Sequence, residues 1–125
     1  MKKIIRFYLI AVSLAIVLFA LGLYFFRPVP IVKEKDAITV TGIVVDIFEA
    51  GVKDVVFKLN GDNVIYYVNR GLEHGLNIDS LKAKLVGNQV TLKYPDYWTP
   101  LDKDKKTRHL SKVEFNNEVL FNELR

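Results

Sequence analysis

Hydrophobic and polar positions follow two different periods along this chain. Residues 7–26 read FYLIAVSLAIVLFALGLYFF, twenty positions without a charge. As a helix rising about 1.5 Å per residue, the run covers roughly 30 Å, the depth of a bilayer's hydrocarbon. It lacks the polar stripe by which a helix packed on a soluble core meets water. Past residue 36 the period falls to two. Residues 38–48 (ITVTGIVVDIF) are rich in β-branched side chains, with Ile38 and Val40 before Gly42 and Ile43, Val45 and Ile47 after it. That change of parity at a glycine predicts a bent strand, bulged at Gly42.

Residues 54–60 alternate, with Val55, Phe57 and Leu59 on one face and Asp54, Val56, Lys58 and Asn60 on the other. The Asn60-Gly61-Asp62-Asn63 turn leads into residues 64–69 (VIYYVN), which completes a hairpin. Residues 77–86 carry Ile78, Leu81 and Leu85 at helical spacing, with Asn77 or Asp79 to cap the start and Gly87 to end it. A strand over 89–94 follows, pointing Val90, Leu92 and Tyr94 inward. Residues 95–107 form a long loop before a strand over 108–115, and Asn116-Asn117 can turn the chain into a last strand over 119–124.

Three regions result: residues 1–26 as an N-terminal transmembrane anchor with its helix at about 7–26, residues 27–37 as a linker, and residues 38–125 as one β-rich domain. Pro28 and Pro30 make the linker a short, stiff tether. Ala20 and Gly22 could serve a signal-peptide cut, which would release the domain as a secreted protein. The run continues past them, and aromatic residues at both ends, Phe7 and Tyr8 against Tyr24 to Phe26, suit the two membrane interfaces, so an uncleaved anchor is favoured. Lys2, Lys3 and Arg6 lie tight against the apolar run with no acid among them, whereas Lys33 and Lys35 are interleaved with Glu34 and Asp36. This asymmetry predicts a cytoplasmic N-terminus and an extracytoplasmic domain, the reverse topology being the alternative.

Charge sharpens the division. The formal net charge is +4, but residues 1–36 hold six basic and two acidic side chains, while the remaining residues hold twelve of each. The domain therefore has no overall cationic field to gather phosphate. With no cysteine there is neither a disulfide framework nor a thiolate metal site, so the domain must fold on its own core.

The order of three strands, a helix and two strands, with a glycine within a bent first strand, resembles the OB-fold over residues 38–115. The resemblance implies a five-stranded barrel with one short helix. It also implies a ligand face on the second and third strands, flanked by the loops at 49–53 and 95–107. Another small, partly open barrel or an α+β sandwich would give the same order. The anchored OB-fold haem chaperones of cytochrome c maturation have a similar architecture, but their histidine followed four positions later by tyrosine is absent: Ile78 follows His74 and Val113 follows His109 at that distance. Their activity is not expected.

On the implied face Lys58 with Tyr66 or Tyr67 could form an aromatic and polar platform, and of two adjacent strand tyrosines one must point to each side. The 95–107 loop contributes Tyr97, the single tryptophan Trp98 and a basic run ending in Arg108, a mixture that suits single-stranded nucleic acid. Asp96, Asp102 and Asp104 oppose its cations, and a solvated loop pinned by Trp98 and Pro100 accounts for the same residues. His74 and His109 show no ligand spacing for a metal, and no nucleophile, phosphate-loop or acid/base pattern is present, so neither cofactor nor catalysis is expected. The expectation is a non-catalytic binding or adaptor domain that meets an envelope protein or peptide. An oligonucleotide- or oligosaccharide-binding module and a structural component of envelope assembly are the alternatives.

Overall fold

The computed structural model describes all 125 residues: one N-terminal apolar helix and a mainly-β domain built on a seven-stranded sheet. Helix α1 spans Lys2–Phe25 and buries none of its residues. It takes in Lys2, Lys3 and Arg6, earlier than the apolar run begins, because nothing in those residues breaks a helix. Its length and composition suffice to cross a membrane, a test that a signal sequence also passes. Ser13, midway along the apolar run, donates its hydroxyl to Leu9 O at 2.8 Å and so turns its polar group back onto the helix backbone.

The first strand, β1 (Ala37–Ala50), is long because it serves two neighbours. Its first half, Ala37 to Ile43, runs antiparallel to β4 (Gln89–Pro95), and its second half, from Val44 on, pairs with β2 (Asp54–Leu59). The bulge lies between Val44 and Asp46 rather than at Gly42. Val44 and Ile47, three apart, are therefore both buried, while Ile43 and Val45, of the same parity as Ile47, are exposed. Gly42 is instead a point of close packing: a Cβ there would stand 3.1 Å from Leu59 Cδ1, so the Leu59 side chain would have to give by a few tenths of an ångström.

β2 returns to β3 (Ile65–Val68) through the expected turn, with Gly61 at φ +70° and Asp62 accepting from Val64 N at 2.8 Å. Val55, Phe57 and Leu59 are buried as their alternation required. Val56, on the opposite face, is only 3 % exposed too, being flanked across the strands by Phe48 and Tyr67. Helix α2 (Ile78–Leu85) is capped by the Asn77 side chain, which accepts from Ser80 N, and lays Leu81 and Leu85 into the core.

The stretch expected as one strand over 108–115 is two: β5 (Thr107–His109), parallel to β3, and β6 (Lys112–Phe115), antiparallel to β4. A hairpin through Asn116 and Asn117, both at positive φ, adds β7 (Glu118–Asn122). The sheet order is β5-β3-β2-β1-β4-β6-β7, seven strands where the barrel reading counts five. Only Leu110 and Ser111 separate β5 from β6. Leu110 N donates to Tyr67 O at 2.8 Å and Ser111 N to Lys93 O at 2.7 Å, so this short crossing is bonded to β3 on one side and β4 on the other.

The tether is bound to the domain along its length. Glu34–Asp36 forms a 3-10 turn, and the Glu34 carboxylate accepts from Lys93 Nζ at 2.6 Å and Lys112 Nζ at 2.8 Å. Those two ammonium groups hold the Glu34 carboxyl down at about 2. Arg125 N donates to Val32 O at 3.0 Å, joining the tether to the chain's last residue.

Candidate functional site

Tyr67 is the residue around which a recess forms. On β3 it pairs with Val56 on one side and with His109 on the other, and its ring meets the His109 imidazole edge to face at 5.4 Å. His109 is fixed from behind, its Nε2 lying 2.7 Å from Glu123 Oε1. Burial raises the Tyr67 phenol above its usual value, and Asp54 adds to the shift, so the hydroxyl stays protonated at neutral pH and can both donate and accept.

A cavity of about 100 Å³ opens beside this ring, between Tyr67, Tyr97, Thr99, Asp102 and Arg108. A second depression of about 330 Å³ continues over Val56, Ile65, Asp54 and Asn69, and the two share Tyr67 and Thr107. The lining is thus mixed: aromatic and apolar side chains alternate with Thr99, Thr107, Arg108 and His109, and one acid belongs to each depression, Asp102 to the first and Asp54 to the second. Asp54 Oδ1 accepts from Arg70 N at 2.8 Å. Asp102 accepts from Lys106 N at 3.0 Å and Thr107 N at 2.9 Å, which turns the long loop back into β5 and sets the cavity's rim.

The six residues singled out from the sequence do not converge. Tyr67, Tyr97 and Arg108 line the cavity. Tyr66 is the inward member of the tyrosine pair, 3 % exposed, with its hydroxyl donating to Asp62 Oδ2 at 2.6 Å. Lys58 is exposed on β2 opposite Asp46, away from both depressions. Trp98 lies in a separate hollow with Arg27, Pro28, Pro30 and Lys105. The Arg108 guanidinium sits 4.9 Å from the centre of the Tyr94 ring and donates to Tyr97 O at 3.4 Å, so it braces the loop and offers little charge to a ligand.

His109, Thr107 and Asp102 were missed. The parallel pairing of β3 with β5 brings the first two beside Tyr67 across some forty residues of chain, and no local pattern encodes it. His109, set aside in the sequence for want of ligand spacing, is half-buried between Tyr67 and Glu123. Neither serine of the domain lies at the recess: Ser111 is buried in the crossing between β5 and β6, and Ser80 is in the first turn of α2. The recess can therefore hold a ligand by ring contact, shape and a few hydrogen bonds.

No protein-family model matches the chain, and no curated protein or solved structure matches it.

Proposed function

We propose that this chain is a single-pass membrane protein presenting a non-catalytic, OB-like binding or adaptor domain outside the cytoplasm, and that the Tyr67 recess takes an extended segment of an envelope protein or peptide. The observation that carries the reading is the pair of adjoining depressions meeting at Tyr67 and Thr107, on the outer face of β2 and β3 and beneath the 95–107 loop. That is the face an OB-fold uses. The path of residues 107–115 supports the OB-like reading: it runs beside β3 in parallel and then beside β4 in antiparallel, as the last strand of such a barrel would.

Asp102 and Asp54 in the lining, with Arg108 already engaged, favour a peptide over a nucleic-acid backbone. The extracytoplasmic placement rests on the three acid-free basic residues before the apolar run. Site-specific photo-crosslinking tests the reading in cells. A crosslinker at Tyr67 should yield a discrete protein adduct, and the same group at Lys58 should not. Equal adducts from both positions, or single-stranded DNA bound at low salt by the purified chain, would remove it. A reporter fused after Arg125 that works on only one side of the membrane tests the topology separately.

A further inference from the structure

We infer that the loop over residues 97–102 is a second membrane contact, seated in the interfacial layer of the leaflet that α1 leaves, with Trp98 and Leu101 as its apolar anchors. The inference rests on the reading of α1 as a spanning helix and goes beyond it, because one helix alone would leave the domain free to swing. The geometry fixes the loop's depth. Thr99 Oγ1 donates to Phe25 O at 3.2 Å, in the last turn of α1, and the Tyr97 hydroxyl donates to Arg27 O, two residues beyond it. Two side chains of the loop thus grip the backbone on either side of the point where the helix ends. A bilayer crossed by α1 has its interface at that point, so the loop is held at the same level.

The side chains it presents there suit that layer. Trp98 is 38 % exposed and Leu101 is 62 % exposed, although the rest of the domain keeps most of its large apolar groups inside. Trp98 shares a hollow of about 470 Å³ with Tyr97, Pro28, Pro30, Arg27, Lys105 and Asp96, which places two aromatic rings, two proline rings, two cations and one acid around one opening beside the helix end. Indole is the side chain best matched to the boundary between headgroups and hydrocarbon, being apolar in body with one N–H to donate. Charge is not the main attraction. Lys103, Lys105 and Lys106 are balanced in the same loop by Asp96, Asp102 and Asp104, and Lys105 lies 3.7 Å from Asp96. The occupant is accordingly the lipid interface itself, and a zwitterionic bilayer suffices.

Trp98 is the only tryptophan of the chain, so its own fluorescence reports the contact. The full chain is reconstituted in phosphatidylcholine vesicles, with and without phosphatidylcholine brominated high on the acyl chain, and retention of the chain after alkaline extraction is scored in parallel. The expected result is a retained chain whose Trp98 emission is quenched at least twofold by the brominated lipid and shielded from aqueous iodide. Leu101→Asp should at least halve that quenching while the chain stays retained. A retained chain with Trp98 unquenched by bromine and open to iodide overturns the contact and leaves the anchor standing. Loss of the chain to the alkaline supernatant overturns the anchor and the contact with it.

Discussion

Below β3, Tyr66 is packed with Tyr94 at 6.0 Å and bonded to Asp62, whereas above the same strand Tyr67 faces His109 and an open recess. One pleat separates a side chain closed into the core from one that opens onto the recess. Both phenols are raised by burial, yet the causes that follow differ: for Tyr66 it is the bond to Asp62, a group in its own turn, while for Tyr67 it is the field of Asp54, Tyr97 and Asp102 around the recess. The contrast teaches that acidic surroundings on the outer face are part of the recess's character, and that the inner face is closed by a local bond.

The contrast can be broken most strongly from below. Tyr66→Ala should lower stability by about 3 kcal/mol or more, since it removes a buried aromatic ring. Tyr67→Ala should cost much less, while abolishing the adduct formed by a crosslinker placed at Thr107 in the same recess; thermal unfolding followed by circular dichroism, with crosslinking, separates the two. Equal losses of stability from both would erase the distinction drawn here. Next in size is Gly71→Ala. The new Cβ would stand 2.7 Å from Val55 Cγ2, directly in the core beneath β2, and overpacking of this kind costs about 1–3 kcal/mol.

Smaller again is Tyr66→Phe, which keeps the ring and removes the bond to Asp62, at a cost of about 1 kcal/mol. It also bears on pH. A phenol whose folded value is raised gives stability that is present below the usual value of 10 and is lost as pH rises above it, because the unfolded chain ionises first. Melting temperature should therefore fall above about pH 10, less steeply in Tyr66→Phe than in the parent, with Tyr67 supplying the remainder.

The smallest effect lies away from both faces, at Glu34. Its carboxyl is held at about 2, below the usual 4.5, so its contribution is present above about pH 4.5 and lost as pH falls toward 2. Glu34→Gln should flatten that acid limb without altering adduct formation at Tyr67. Hydrogen exchange of residues 32–36 should rise in the variant, reporting release of the tether. An unchanged acid limb would show that the tether is held through its backbone, at Val32 by Arg125 and at Arg27 by Tyr97, without the Glu34 pairs.

What could be read from the sequence was what neighbours one to four residues apart enforce. The uncharged run of α1, the alternation of Val55, Phe57 and Leu59, the Asn77 cap and the turn residues at Gly61 and Asn116-Asn117 all state their geometry locally, and each appears in the structure. Half of the candidate site was legible in the same way, since Tyr67, Tyr97 and Arg108 were marked by residue type and neighbourhood. Pairing between distant segments decided the rest. Where β1 exchanges β4 for β2 determined that the bulge falls after Val44, and with it which of Ile43, Val44 and Val45 is buried. The parallel join of β3 to β5 brought His109 and Thr107 to Tyr67, and hydrogen bonds from Tyr97 and Thr99 held a loop expected to be solvated against the end of α1. A period along the chain specifies which face a residue occupies, but what covers that face depends on partners tens of residues away, and only the folded chain brings those together.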